Sequence, residues 1–235
     1  MISVKNAPRL LGAAFLLVIL TSLASGILHS SAVESEDIAD ILVEIEDNEA
    51  LYRISIVAEL ANAAAILVLA MLLYTVLNGQ NKIIARVALG WWLAEGITLA
   101  VSKLGAFALI PLSQDFVSAG TPDGAYFQAV GEALYEGLDR KGYTLHMLFY
   151  CLGGIGWYYL FFQSRFVPRP IAILGLVAAP VGLVGIVAEM LGTDVSIAVY
   201  LPIGVFELAI GFWLLFRGVP DTPATPATPA SPATG

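Results

Sequence analysis

The sequence predicts an all-α integral membrane protein, a bundle of six transmembrane helices with two short amphipathic helices on its extracytoplasmic side. Three observations carry that prediction. Of the 235 residues, 58% are hydrophobic and only 13% are charged, and the mean hydropathy is +0.83, outside the range of soluble globular chains. The apolar residues gather in six runs, each long enough to cross a hydrocarbon core of about 30 Å at about 1.5 Å per residue. The net charge of -8 lies mostly between the runs, in two acidic segments, so it belongs to connections and not to a soluble acidic surface.

Lys5 and Arg9 precede the first run, residues 10–28. A basic flank, an apolar stretch and small residues at 24–26 also fit a cleavable signal peptide, which would leave five spans. Residues 31–50 turn acidic, with Glu34, Glu36, Asp37, Asp40, Glu44, Glu46, Asp47 and Glu49. Within them Ile38, Ile41, Leu42 and Ile45 recur at i, i+3, i+4 and i+7, which predicts a short amphipathic helix over 35–46, lying on the membrane or on the bundle. Ser35 is the expected N-cap, and the acids read as a solvated face.

The second span, residues 54–77, brings Ser55, Glu59 and Asn62 into the membrane at i, i+4 and i+7, one polar stripe on a helix. The turn-forming stretch Asn78, Gly79, Gln80, Asn81 closes it. The third span, 83–111, is longer than a bilayer requires, so it tilts or projects into the outer interface. Glu95, Thr98 and Ser102 mark its polar face and Lys103 follows, while Trp91 and Trp92 read as packing or lipid-facing residues.

Residues 113–143 form the second long connection. A GTPDG turn at 120–124 precedes 126–138, where Phe127, Val130, Leu134 and Leu138 oppose Glu132, Glu136 and Asp139, the pattern of a second interfacial helix. The fourth span, 144–162, aligns His146, Tyr150, Gly153 and Trp157 on one face, with a glycine where a neighbour can approach. The fifth, 171–191, contains Pro180 among Gly175, Gly182 and Gly185, which predicts a kink. The sixth, 197–216, places Tyr200, Gly204, Glu207 and Gly211 on one face. Residues 1–219 thus make one six-span domain, and 220–235, PDTPATPATPASPATG, have too little apolar surface to fold and read as a disordered tail.

Basic residues set the orientation. Lys5, Arg9, Lys82, Arg86, Arg165, Arg169 and Arg217 flank the spans on one side, against Arg53, Arg140 and Lys141 on the other. The first side is cytoplasmic by the positive-inside rule, so both termini of this cell-membrane protein are expected inside.

Chemistry must come from ionisable groups within the spans. Cys151 is the single cysteine, the two histidines need carboxylates to complete any metal centre, and neither HExxH nor GxSxG occurs. No catalytic residue, metal ligand or cofactor is therefore assigned. The ligand-binding candidates are Arg53, Glu59, Asn62, Glu95, His146 and Glu207, with Glu59 and His146 in the outer third of their spans and Glu95 and Glu207 near the middle. An ionised side chain at mid-membrane costs about 2.5 to 3.5 kcal/mol, so each Glu needs a base, a proton or a water-filled cavity. The expected arrangement is one polar cavity open to the extracytoplasmic side. Three readings follow: binding or moving a small polar, ionic or amphiphilic ligand there; a structural or partner-binding protein whose polar contacts serve helix packing; and an intramembrane metal-dependent hydrolase. Expected partners are membrane lipids and a small ligand, not nucleic acid; the first three and last three spans show no inverted repeat of the transporter kind.

Five stretches carry a family resemblance: RLLGAAFLL at 9–17, NEALYRISIVAEL at 48–60, LLY at 72–74, FVPRPIAILGL at 166–176 and FELAIGFWLLFRG at 206–218. Over residues 9–219 the chain resembles the domain-of-unknown-function family 4386 of multi-pass membrane proteins. The resemblance implies a fold and no activity. It points to Arg53, Pro168, Arg169, Gly175, Glu207, Trp213 and Arg217, and residues 31–47 are more acidic than it leads one to expect.

Overall fold

The computed structural model describes residues 7–119 and 124–217, and every regular element among them is helical. The helices are α1 (Ala7–Ala32), α2 (Ile38–Asp47), α3 (Glu49–Leu77), α4 (Lys82–Ala119), α5 (Gly124–Glu132), α6 (Lys141–Ser164), α7 (Arg169–Met190) and α8 (Leu201–Arg217). A π-helical segment, Ala133–Arg140, joins α5 to α6, and a 3-10 turn, Ile197–Val199, precedes α8. Six of the helical stretches are long and apolar enough to cross a membrane: Arg9–Ala32, Glu49–Leu77, Lys82–Ala119, Gly124–Ser164, Arg169–Met190 and Ile197–Arg217. Half or less of each apolar stretch is buried within the protein, and Leu20, Ile27, Val57, Ile83, Leu104 and Val184 face outward. Lipid is the solvent that such a surface requires. The GTPDG turn up to residue 123 and the Pro/Ala/Thr tail lie outside the described residues.

The spans form a ring in chain order. α1 packs on α3, α3 on α4, α4 on α6, α6 on α7 and α7 on α8, and α8 returns to α1. Close approach at the closing seam depends on Gly12, where any Cβ would meet the backbone of Leu215 and the Gly211 carbonyl. Leu11 and Phe15 of α1 are fully buried beside Ile210 and Leu214 of α8 in the main core. Across the ring, Trp92 lies over Gly153, as the small residue in that α6 stripe permits, and its indole N–H donates to the Tyr150 carbonyl at 3.1 Å. In hydrocarbon such a bond between spans satisfies a donor that water cannot reach.

Local chemistry explains the helix ends. Asn81 Oδ1 accepts from the backbone N–H groups of Ile83 and Ile84 at 3.0 and 3.1 Å, so the turn after α3 caps α4. α2 is the expected amphipathic helix, with Ile41, Leu42 and Ile45 buried, each contributing about 2 kcal/mol of apolar burial. It lies on the bundle, against α3, α4 and α5. Its cap corrects the sequence reading: Asp37, not Ser35, accepts from the Ala39 N–H at 2.9 Å, and Ser35 Oγ accepts instead from the Asp37 N–H at 3.2 Å. Glu44, expected on a solvated face, turns back to accept from the Glu34 and Ser35 N–H groups.

Three further expectations change. The third span continues past residue 111 to Ala119 with Pro111 inside the helix, so the projection into the interface is helical. Residues 126–138 are helical but are not a separate interfacial helix, because α5 runs through the π segment directly into α6. On α8 the buried face is Ile203, Phe206, Ile210, Gly211 and Leu214, and Gly204 faces open space instead of sharing a face with Gly211.

Candidate functional site

A cavity of about 1060 Å³ opens at the end of the bundle where α1 finishes and α3 begins. Ser22, Ser25 and His29 of α1 and Ser55 and Glu59 of α3 form one wall. Opposite stand Lys103 of α4, Glu136, Asp139 and Arg140 of the π segment, and Tyr143 and Thr144 of α6. Lys141, Glu189 of α7 and Asp194 of the following connection complete the charged lining. Five carboxylates therefore face three basic side chains.

Two carboxylates are matched locally. Lys103 Nζ lies 2.7 Å from Asp139 Oδ1, with both side chains about nine-tenths buried, and Arg140 meets Glu136 at 2.6 Å in the open. Three acids, Glu59, Glu189 and Asp194, remain against Lys141. Glu59 accepts from the Ser25 hydroxyl and Glu189 from the Tyr200 hydroxyl, neutral donors that orient a carboxylate and leave its charge uncompensated. Among the described residues no base reaches Glu59 within ion-pair distance. The wall is accordingly electronegative, and a cavity between low-dielectric helices focuses that field.

The π segment is what brings Asp139 to the wall. At Gly105 of α4 a Cβ would lie 2.9 Å from the Leu134 carbonyl, so the two helices approach closely and Lys103 comes beside Asp139. The wider turn also directs Tyr135 inward, where its ring stacks on His29 with centroids 6.3 Å apart, and the Tyr52 ring lies tilted 5.8 Å from the same imidazole. Asp139 is thus buried, not part of the solvated face assigned from the helical spacing.

Glu59 is the one sequence candidate on the cavity wall. Glu95 and His146 meet deeper, between α4 and α6, with Oε1 and Nδ1 3.7 Å apart and both side chains buried. Among the described residues Glu95 Oε2 and His146 Nδ1 have no hydrogen-bond partner. Tyr143 connects this pair to the cavity, since its ring lies 5.1 Å from the His146 ring and also lines the wall. Asn62 is buried between α1 and α3, its Oδ1 accepting from the Thr21 hydroxyl at 3.0 Å. Glu207 lies near the Tyr150 hydroxyl, which is itself 2.6 Å from the Tyr158 hydroxyl. Arg53 is half exposed and pairs with Glu49 at 2.6 Å, away from the cavity.

The candidates therefore occupy different levels: Glu59 on the wall, Glu95, His146, Asn62 and Glu207 within the bundle, and Arg53 outside. The α1 contribution is also marked in the sequence: Ser22, Ser25 and His29 recur at i, i+3 and i+7, a helical stripe that matches the i, i+4, i+7 stripe of Ser55, Glu59 and Asn62 on α3. Among the described residues no three His, Cys, Asp or Glu side chains are placed to hold a metal ion.

A family model described as a domain of unknown function, DUF4386, matches residues 10–218. No curated protein and no solved structure matches the chain.

Proposed function

The chain belongs to the DUF4386 family, and on that footing we propose that this multi-pass membrane protein binds a small polar ligand carrying positive charge, a cation or a zwitterion, in the cavity between α1, α3 and α6. The carrying observation is Glu59: a carboxylate within a span, held by a serine and facing an open polar cavity, with no base within ion-pair distance among the described residues. A carboxylate kept for helix packing would bury itself against a partner, whereas a ligand site leaves the charge available. Glu189 and Asp194 extend the same field to the cavity mouth. The Glu95 and His146 pair lies beneath, joined to the cavity through Tyr143, and its polar atoms without a hydrogen-bond partner among the described residues add to the polar interior. In this reading Glu59 is the ligand-contacting candidate, and Asn62, Glu95, His146 and Glu207 hold the polar interior beneath it.

We place the cavity mouth on the extracytoplasmic side. Lys82, Arg86, Arg165, Arg169 and Arg217 lie at the opposite end of the spans, and the positive-inside rule assigns that end to the cytoplasm.

One experiment tests field and orientation together. Cys151 is fully buried, so a new cysteine provides the only accessible thiol among the described residues. Gly26→Cys projects into open space on the cavity lining, and Gly79→Cys lies in the turn at the other end. Impermeant methanethiosulfonates applied from outside should modify Gly26→Cys and spare Gly79→Cys. After correction for intrinsic reactivity, the cationic reagent should react about tenfold faster than the anionic one, and Glu59→Gln should bring the two rates together. Equal rates with Glu59 present refute the electronegative cavity, and external labelling of Gly79→Cys refutes the orientation.

A further inference from the structure

A second cavity, of about 560 Å³, lies at the opposite end of the bundle, between the α6 to α7 connection and the end of α8. Its lining includes Arg165, Arg169 and Arg217 with Trp213, and among the described residues contains no carboxylate. Among the described residues none of the three guanidiniums has an acidic partner within ion-pair distance. Aromatic faces hold two of them: Arg217 lies 5.7 Å from the Trp213 ring centroid and Arg169 5.9 Å from that of Phe162. Arg165 caps α6 in the left-handed region, at φ 58°, where glycine is the usual residue and a side chain costs about 1 kcal/mol. From this cap position Arg165 lines the cavity. The amino end of α7 opens here as well, capped by Pro168 without a side-chain acceptor, so its dipole adds to the positive field.

We infer that this cavity binds a phosphate group, and that the group belongs to the headgroup of an anionic phospholipid. Guanidiniums match phosphate oxygens in bidentate pairs, and three of them lining one cavity, with no carboxylate among the described residues there, offer those donors to a ligand. The lipid source follows from the surroundings. Ile173 of α7 and Phe216 of α8 are exposed apolar side chains on the helices that frame the cavity, so acyl chains can follow these helices while the headgroup meets the arginines. A general positive charge at this end would serve membrane insertion equally well with lysine. A bidentate, aromatic-braced phosphate site would not.

That difference supplies the test. The full chain, purified in detergent, is titrated with phosphatidylglycerol or phosphatidylcholine and bound lipid is counted by native mass spectrometry; inorganic phosphate is titrated separately, with melting temperature as the readout. Phosphatidylglycerol should be retained over phosphatidylcholine, and the triple variant Arg165→Lys, Arg169→Lys, Arg217→Lys should weaken retention about tenfold while the charge and the insertion of the chain are unchanged. Inorganic phosphate that stabilises the wild type without any lipid preference, again lost in the lysine variant, assigns the site to soluble phosphate and rejects the lipid source. Lysine variants that retain the lipid as well as the wild type, or a wild type that responds to neither ligand, overturn the phosphate site.

Discussion

Replacing Lys103 with methionine should destabilise the protein by about 3 kcal/mol, read as a lower melting temperature of the detergent-solubilised chain. The lysine is 2.7 Å from Asp139, and both side chains are about nine-tenths buried between α4 and the π segment. Methionine keeps most of the volume of the stem and removes the charge, which leaves the Asp139 carboxylate buried beside an apolar group. Breaking a buried pair in this way costs more than the pair contributes, because the remaining charge has lost both water and its partner. Adding Asp139→Leu to Lys103→Met removes that orphan charge, so the double variant should recover most of the loss. A single variant as stable as the wild type would mean that cavity water solvates Asp139 unaided.

Gly12→Ala should be the most damaging one-carbon change in α1, at about 2 kcal/mol or more, since overpacking against side chains costs about 1 to 3 and here the obstruction is backbone. The added Cβ meets Leu215 and the Gly211 carbonyl, and neither can move without shifting α8. The consequence reaches the whole ring, because this seam joins the last span to the first. Gly26→Ala in the same helix is the control: nothing lies within 4 Å of its Cβ position, so its melting temperature should match the wild type or rise slightly from the helix propensity of alanine. Equal losses at both positions would point to glycine's effect on α1 itself and away from the seam.

Much of the architecture was legible because lipid and water impose simple rules. Run lengths locate the spans, and Ile38, Ile41, Leu42 and Ile45 locate the buried face of α2. Spacing rules assume a constant helical repeat, however, and they fail where the repeat changes. The π segment shifts the phase after Ala133, so Asp139 turns from a solvated position to the cavity wall and joins Lys103, a residue sequence spacing merely placed after Ser102. Capping shows a different limit. Ser35 and Asp37 both have suitable side chains, and the choice between them depends on Glu44, which returns from the next turn and a half of helix to bind the Glu34 and Ser35 N–H groups. For the site, the polar stripe of α3 was visible, but depth along a span does not tell which stripes share a space. Glu59 faces Ser25 and the cavity, whereas Asn62, one turn deeper, is closed off by Thr21.

The central claim is that the Glu59 carboxylate is held ready for a positively charged ligand, and ligand-dependent stability measures it directly. Choline, glycine betaine and acetate, each at millimolar concentration and constant ionic strength, are added to the purified full chain and the melting temperature is followed. Binding to the folded state alone raises stability by about 2.7 kcal/mol at a hundredfold excess over Kd, an effect well within reach of the measurement. The account predicts stabilisation by choline or glycine betaine, none by acetate, and loss of the effect in Glu59→Gln with the unliganded melting temperature preserved. Stabilisation by acetate equal to that by the cation, or an undiminished response in Glu59→Gln, would contradict it.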